Sequence, residues 1–343
     1  MSKRQLLNLH RWLGLALLLP LLLQTTTGLM LVYKWPLAQW LDPAGMLRTT
    51  PGADLSAGNI VDRAIANWGE SRVQRLYFPE SDAATYFLLL HDSADARYYT
   101  SMDPGDGRVL REGGRWQFPV EAALQLHFQP LAGRTGNSMV LLTGLGLLAL
   151  MCAAVVAWWP RRGRWRQSLA IRSGLRGRLM VRQFHRSLGI LLLPVLALLA
   201  ITGSLMALEL VLQNTGSRPP GSLPAPSTGV AVDQAVALAQ TIVPGARLRD
   251  ISFPGGNIKV QFHAPERNRR AVHSVLVGGH PLQVLKHTPA QENTGWWVIL
   301  LPIHSGDVLS PWGHRVVLVA GFLLLALCSF GAWLWLPDRA RRK

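Results

Sequence analysis

Four histidines stand where their type and spacing allow redox chemistry. His10 opens the string HRWLGL and His185 opens HRSLGI, an offset of 175, while His127 and His304 correspond at an offset of 177. All four lie near the ends of long apolar runs, where histidine is rare and carries a functional presumption. A single such histidine is unremarkable, but two pairs related by one repeat would converge face to face on a shared axis. A metal-centred planar cofactor suits that arrangement, because haem iron takes axial ligands on opposite faces and neutral imidazole is a standard one. Two imidazoles fill both axial positions, which favours electron transfer over oxygen chemistry. The expected cofactor is haem b in two copies, one between His10 and His185 and one between His127 and His304.

Arg11 and Arg186 directly follow one pair, and Arg134 and Arg315 lie near the other. Guanidinium forks match carboxylates, so these residues are candidates for the haem propionates. Positive-inside arginine or lipid-phosphate contact accounts for Arg11 and Arg186 equally well. His314 is the alternative to His304 as a ligand, although its repeat counterpart is Asn137. His127 is followed by Pro130, Gly133 and Gly136, so it is expected on a short interfacial segment rather than on a helix running straight through. Zinc is disfavoured: no cysteine lies near these histidines, and Glu209 has no acidic counterpart in the first half. His91, His263, His273, His280 and His287 show no paired spacing and read as solvated side chains.

The elements that must position these residues are membrane spans. The chain is 49% hydrophobic with a net charge of +16, and its apolar residues gather in four runs: Trp12–Tyr33, Met139–Trp159, Leu188–Leu212 and Val316–Leu336. Each is long enough to cross a hydrocarbon core of ~30 Å. Trp and Tyr at the run edges form the expected interfacial belt. The basic residues cluster at the run ends, which argues for a lipid bilayer as partner and against nucleic acid. A cleaved signal peptide is the alternative for the first run, but GLMLVYKWP offers no small-x-small cleavage site, so a retained helix is expected. From Pro160 through Arg186 there are nine arginines and no acidic residue. Lys3, Arg4 and Arg11 precede the first run, and Arg339, Arg341, Arg342 and Lys343 follow the last. These three segments are expected in the cytoplasm. Cys152 and Cys328 both fall inside apolar runs, which excludes a disulfide framework.

The expected division is 1–33, cytoplasmic N-terminus and first span; 34–138, an extracytoplasmic unit and interfacial segment; 139–159, the second span; and 160–187, a basic cytoplasmic loop. Then follow 188–212, the third span; 213–315, a linker and second extracytoplasmic unit; 316–336, the fourth span; and 337–343, a basic tail. Both halves run helix, soluble unit, helix, starting from the same side, which is a parallel repeat. Thr27-Gly28 matches Thr202-Gly203, and Gly144 matches Gly321. Each soluble unit opens with a helical pattern, LSAGNIVDRAIANW or VDQAVALAQTI, followed by alternating strand-like segments. The fold class is therefore an all-α four-helix transmembrane bundle with two small α+β extracytoplasmic domains. Arg218–Gly229 is rich in Pro, Gly and Ser and reads as a linker.

HRWLGL with its Thr-Gly, the duplicated FHRSLGI, IHSGDV at His304 and YYTSMDPGDGRVL together resemble the PepSY-associated transmembrane family, across nearly the whole chain. The resemblance makes the two soluble units PepSY-like. It implies a di-haem reductase of the bacterial inner membrane that passes electrons to a periplasmic ferric siderophore, with His10, His185, His127 and His304 at the matching positions. The second half keeps the family's His-Ser/Thr-Gly pattern at His304-Ser305-Gly306; the first half departs from it, reading His127-Phe128-Gln129. No Gly-x-Gly-x-x-Gly follows a strand pattern, so electrons are expected from a cytoplasmic partner or a membrane quinol. A non-enzymatic membrane sensor or chaperone, binding a peptide or protein through the soluble units, is the competing reading. A transporter is weaker, since the spans carry no interior charge to mark a substrate path.

Overall fold

The computed structural model describes residues 2–69, 73–91, 96–130, 133–160, 162–213 and 228–336. All but the last two residues of the Pro-rich linker, and the basic tail from 337 onward, lie outside the described residues. In chain order the helices are α1 (Lys3–Ala16), α2 (Leu18–Val32), α3 (Lys34–Leu41), α4 (Ala57–Trp68), α5 (Pro119–Phe128), α6 (Gly133–Trp158), α7 (Gly177–Gln213), α8 (Gly229–Ile242), α9 (Trp296–Ser305) and α10 (Trp312–Trp335). Short helical pieces also occur at Pro43–Met46 and Trp165–Leu169. The strands are β1 (Val73–Tyr77), β2 (Tyr86–His91), β3 (Arg97–Met102), β4 (Val109–Gly114), β5 (Leu248–Ser252), β6 (Ile258–His263), β7 (Val272–Gly278) and β8 (Gln283–Thr288). The residues divide into two compact units, one of Met1–Val32, Ala123–Thr215 and Ile299–Lys343, the other of Tyr33–Ala122 and Gly216–Val298.

The first unit is helical. Among the described residues α6, α7 and α10 are each long and apolar enough to cross a membrane, and α1 with α2 makes a fourth span if that bent pair counts as one. Leu19, Leu142, Leu191 and Phe322 are exposed on these helices, as expected of side chains solvated by lipid rather than water. Leu21, Leu147, Met151, Leu196, Ala200, Leu327 and Cys328 form the core between them. The chain is thus a multi-pass membrane protein.

The first apolar run departs from expectation, because it is not one straight helix. It breaks at Leu17, and α1 and α2 meet at 59°. Pro20 supplies the reason: it has no N–H to give the Ala16 carbonyl four residues back, and its ring clashes with that carbonyl. Pro194 by contrast sits inside an uninterrupted α7.

The second unit corrects the expectation of two separate α+β domains. One eight-stranded antiparallel sheet runs β4-β3-β2-β1-β5-β6-β7-β8. The two sets of four strands join where Arg75, Leu76 and Tyr77 of β1 pair with Ser252, Ile251 and Asp250 of β5. Either strand alone would be an exposed sheet edge, with a row of unpaired N–H and C=O groups; pairing them removes both edges. Helices α4 and α8 share a core with one face of this sheet, built on Ile60, Leu76, Leu88, Val232, Ile251 and Phe262.

The α4–α8 contact is reciprocal. Asp233 accepts from the Gly58 N–H at 2.8 Å, and Asp62 accepts from the Gly229 N–H at 2.6 Å. Each carboxylate thereby satisfies an orphan donor at the other helix's N-terminus, where the dipole favours negative charge. This closeness requires glycine, since a Cβ on Gly58 would collide with the Gly229 carbonyl oxygen. Gly58→Ala should therefore destabilise the unit by about 2 kcal/mol through overpacking, read as a lower thermal midpoint with the helical content unchanged.

Asp103 anchors the β3–β4 turn. Its Oδ2 accepts from the Thr49 N–H at 2.6 Å, the Thr49 hydroxyl at 2.7 Å and the Thr50 N–H at 3.1 Å, and its Oδ1 from the Gly105 N–H at 2.8 Å. Burial alone would raise its pKa, but the bonds from Thr49, Gly105 and Thr50 outweigh it and hold the carboxyl at about 2. A depressed folded-state pKa means the stabilisation is present above the ordinary carboxylate value and lost as pH falls toward 2. Asp103→Asn should cost about 2 kcal/mol at pH 7. Denaturation curves of the two proteins should converge between pH 4 and pH 2.

Candidate functional site

The helical unit brings the four predicted histidines together in the two expected pairs. His10 on α1 and His185 on α7 have ring centroids 6.2 Å apart with planes at 77°. His127 on α5 and His304 at the end of α9 have centroids 6.3 Å apart with planes at 51°. Two imidazoles that bind one ion from opposite sides through Nε2, at ~2.0 Å each, hold their centroids about 6.3 Å apart. Both pairs stand at that separation.

Hydrogen bonds fix which ring nitrogen carries the proton. His10 Nδ1 lies 3.1 Å from the Leu150 carbonyl oxygen, and His127 Nδ1 lies 3.1 Å from that of Gln24. A carbonyl only accepts, so each Nδ1 is the donor and each Nε2 carries the lone pair. Thr202 Oγ1 gives its own proton to the Leu198 carbonyl at 2.8 Å, a common back-bond for Thr in a helix. Its oxygen therefore accepts from His304 Nδ1, 2.9 Å away. Thr27 repeats this toward His127, donating to Leu23 at 2.7 Å and facing Nδ1 at 3.2 Å. In these three rings the tautomer directs a basic Nε2 away from the hydrogen-bonded edge, which is how proteins orient imidazole ligands. His185 Nδ1 is buried without a hydrogen bond among the described residues.

Glycines seat the second pair. A Cβ on Gly28 would lie 3.0 Å from His127 Cε1, and one on Gly203 would lie 3.1 Å from His304 Cε1. The Thr-Gly strings thus have paired roles, Thr holding the ring and Gly admitting it. Those strings were visible in the sequence as repeat matches, but their task was not.

Chain position also separates the two pairs. His185 and Thr202, which holds His304, both lie on α7, and ~1.5 Å rise per residue puts them ~25 Å apart along it. His127 sits on its own short helix, distinct from α6, as Pro130 and Gly133 suggested.

The remaining candidates differ in their surroundings. His314 is buried and bonds through Nε2 to Asp307 Oδ1 at 2.7 Å, whereas His304 is the residue that meets His127. Arg11, Arg134 and Arg315 are exposed, with the Arg315 guanidinium 4.7 Å over the Trp312 ring. Arg186 is half-buried, and its Nε makes no hydrogen bond among the described residues. Asp307, which sequence reasoning missed, is the buried partner of His314; only its place three residues after His304 could have pointed to it. Among the described residues no three of His, Cys, Asp and Glu gather to hold a metal ion.

The family model for the PepSY-associated TM region matches residues 7–337. The chain belongs to the PepSY-associated transmembrane family. Both histidine pairs of this PepSY-associated protein, and the threonines and glycines that seat the second pair, fall within the matched region. Comparison with curated proteins finds no match.

Proposed function

We propose that this protein is a four-helix membrane reductase built as a parallel repeat. It carries one haem b between His10 and His185 and another between His127 and His304, and it passes electrons across the bacterial inner membrane to a periplasmic ferric siderophore. The observation that carries this reading is the ring-to-ring separation in both histidine pairs, 6.2 Å and 6.3 Å, close to the ~6.3 Å that two imidazoles sharing one ion would keep. A lone ion held by only two imidazoles is under-coordinated, whereas a porphyrin brings four equatorial nitrogens of its own. When bound, the haems supply a one-electron Fe(III)/Fe(II) couple at each pair.

The protein's own residues do the rest. Leu150, Gln24, Thr27 and Thr202 hold the imidazoles of His10, His127 and His304 in the ligating tautomer, and the apolar helices exclude water. With an imidazole from each half engaged, a bound haem would supply electron transfer rather than oxygen chemistry. The repeat is supported by the equivalent Thr–His contacts, by the reciprocal Gly58/Gly229 caps, and by a β1–β5 register symmetric about Leu76 and Ile251. The arginine-rich 160–187 segment supports a cytoplasmic location for both termini, with the sheet unit in the periplasm. Outward electron movement is then favoured by ~2.3 kcal/mol per 100 mV for a full crossing. One electron would reduce each siderophore-bound Fe(III) to Fe(II); a membrane quinol, releasing two protons and two electrons as it becomes quinone, would serve two such irons, and a reduced one-electron cytoplasmic protein would serve one. Arg11, Arg186, Arg134 and Arg315 are the candidate propionate partners.

An absorption spectrum of detergent-purified protein tests the reading. A Soret band, split bands on reduction, and one haem per histidine pair are expected. A colourless preparation from haem-replete cells would end it and favour the non-enzymatic sensor, in which replacing all four histidines with Ala leaves function intact.

A further inference from the structure

We propose that Asp307 and His314 are positioning residues for His304, clamping the corner that presents its imidazole; this rests on the reading of His127 and His304 as one haem-binding pair. Helix α9 ends at Ser305, one residue beyond His304. Gly306 then takes a left-handed conformation, φ 82°, and a single 3₁₀ turn of Asp307–Leu309 leads into α10. The Gly306 and Gly313 backbones touch, since a Cβ on either would overlap the other's main chain. The corner is therefore pressed directly onto the first turn of α10. Positive φ and the lack of room both demand glycine at 306.

One carboxylate ties this corner together. Asp307 Oδ1 bonds to His314 Nε2 on α10 at 2.7 Å, and Asp307 Oδ2 meets the hydroxyl of Ser305, the residue next to His304; the single proton of that hydroxyl is shared with the Leu301 carbonyl 2.8 Å away. Asp307 is 4% exposed and His314 2% exposed. In so dry a setting a hydrogen-bonded pair is a rigid link, and losing one partner strands the other. The first half has no such clamp. At the same offset of 177, Ser305, Asp307 and His314 correspond to Phe128, Pro130 and Asn137. Asn137 is fully buried, and neither of its amide atoms forms a hydrogen bond among the described residues. The two ligands of this pair are therefore held by different means. His304 gains a fixed corner on α10, whereas its counterpart lacks the Ser-Asp-His link.

The test uses the full-length chain in detergent with haem bound, comparing His314→Leu, His314→Gln and Asp307→Asn with wild type. The His10–His185 centre serves as an internal control for folding. His314→Leu should abolish the low-spin bis-histidine signature of the outer pair, or shift its reduction midpoint, without altering the inner one. His314→Gln keeps an N–H donor near the same place and should restore the wild-type signature. A merely structural role would lower the thermal midpoint without changing the outer spectrum selectively. The inference is overturned if His314→Leu and Asp307→Asn leave that spectrum and midpoint unchanged, or if His314→Gln fails as completely as His314→Leu. A wild-type chain that binds no haem overturns the underlying reading as well; a haem-replete wild type with unaltered variants overturns this inference alone.

Discussion

His185→Ala should lose the bis-histidine signature of the inner pair while the outer one persists. The remaining donor, His10, is held by the Leu150 carbonyl and keeps its Nε2 lone pair, so on the proposed reading one protein ligand would survive and the place of the other would open. Two consequences follow that mere unfolding would not give. Carbon monoxide should bind reduced protein at one site of the variant and at neither site of the wild type. Added imidazole, which fits the space the side chain vacates, should restore the six-coordinate spectrum. Losing a direct ligand exceeds losing the partner that orients one, which typically costs ~10–100-fold. Electron transfer from a cytoplasmic-side donor to an outer-side ferric chelate should fall at least ~100-fold. An unchanged spectrum in this variant would remove the inner pair from the proposal.

The histidine pairs were legible because HRWLGL and HRSLGI, and the like offset of His127 and His304, set matching residues at matching spacings, and the structure sets His10 beside His185 and His127 beside His304. The apolar runs were legible by length, since ~20 apolar residues with few or no charges read as a membrane span. Three features were not legible, each depending on who meets whom in space. The break at Leu17 follows from Pro20, yet Pro194 sits in an unbroken helix, so proline alone does not say which helix yields. The single sheet depends on β1 and β5, whose sequences VQRLY and LRDIS announce strands but not that each completes the other's edge. The clamp at His314 depends on a corner formed by Gly306 and Gly313, whose backbone contact no spacing rule reveals.

Gly203→Val should dismantle the outer pair as thoroughly as removing a ligand, although Gly203 coordinates nothing. Its Cβ position is 3.1 Å from His304 Cε1, already tighter than ordinary carbon–carbon contact at 3.5–4.0 Å. Alanine there should displace the imidazole by a few tenths of an ångström and shift the outer midpoint without losing the centre. Valine adds two branched carbons whose rotamer is restricted in a helix, so it cannot swing clear. The ring must leave its seat, breaking the bond between Nδ1 and Thr202 and drawing away from the His127 ring. Gly28→Val should do the same from the opposite side, through His127 at 3.0 Å. In both variants the outer spectrum should vanish and the inner spectrum remain, with helical content at the wild-type level. If the outer centre survives valine at 203 unchanged, His304 is not the ligand, because no side chain of that size fits beside the imidazole where it now stands.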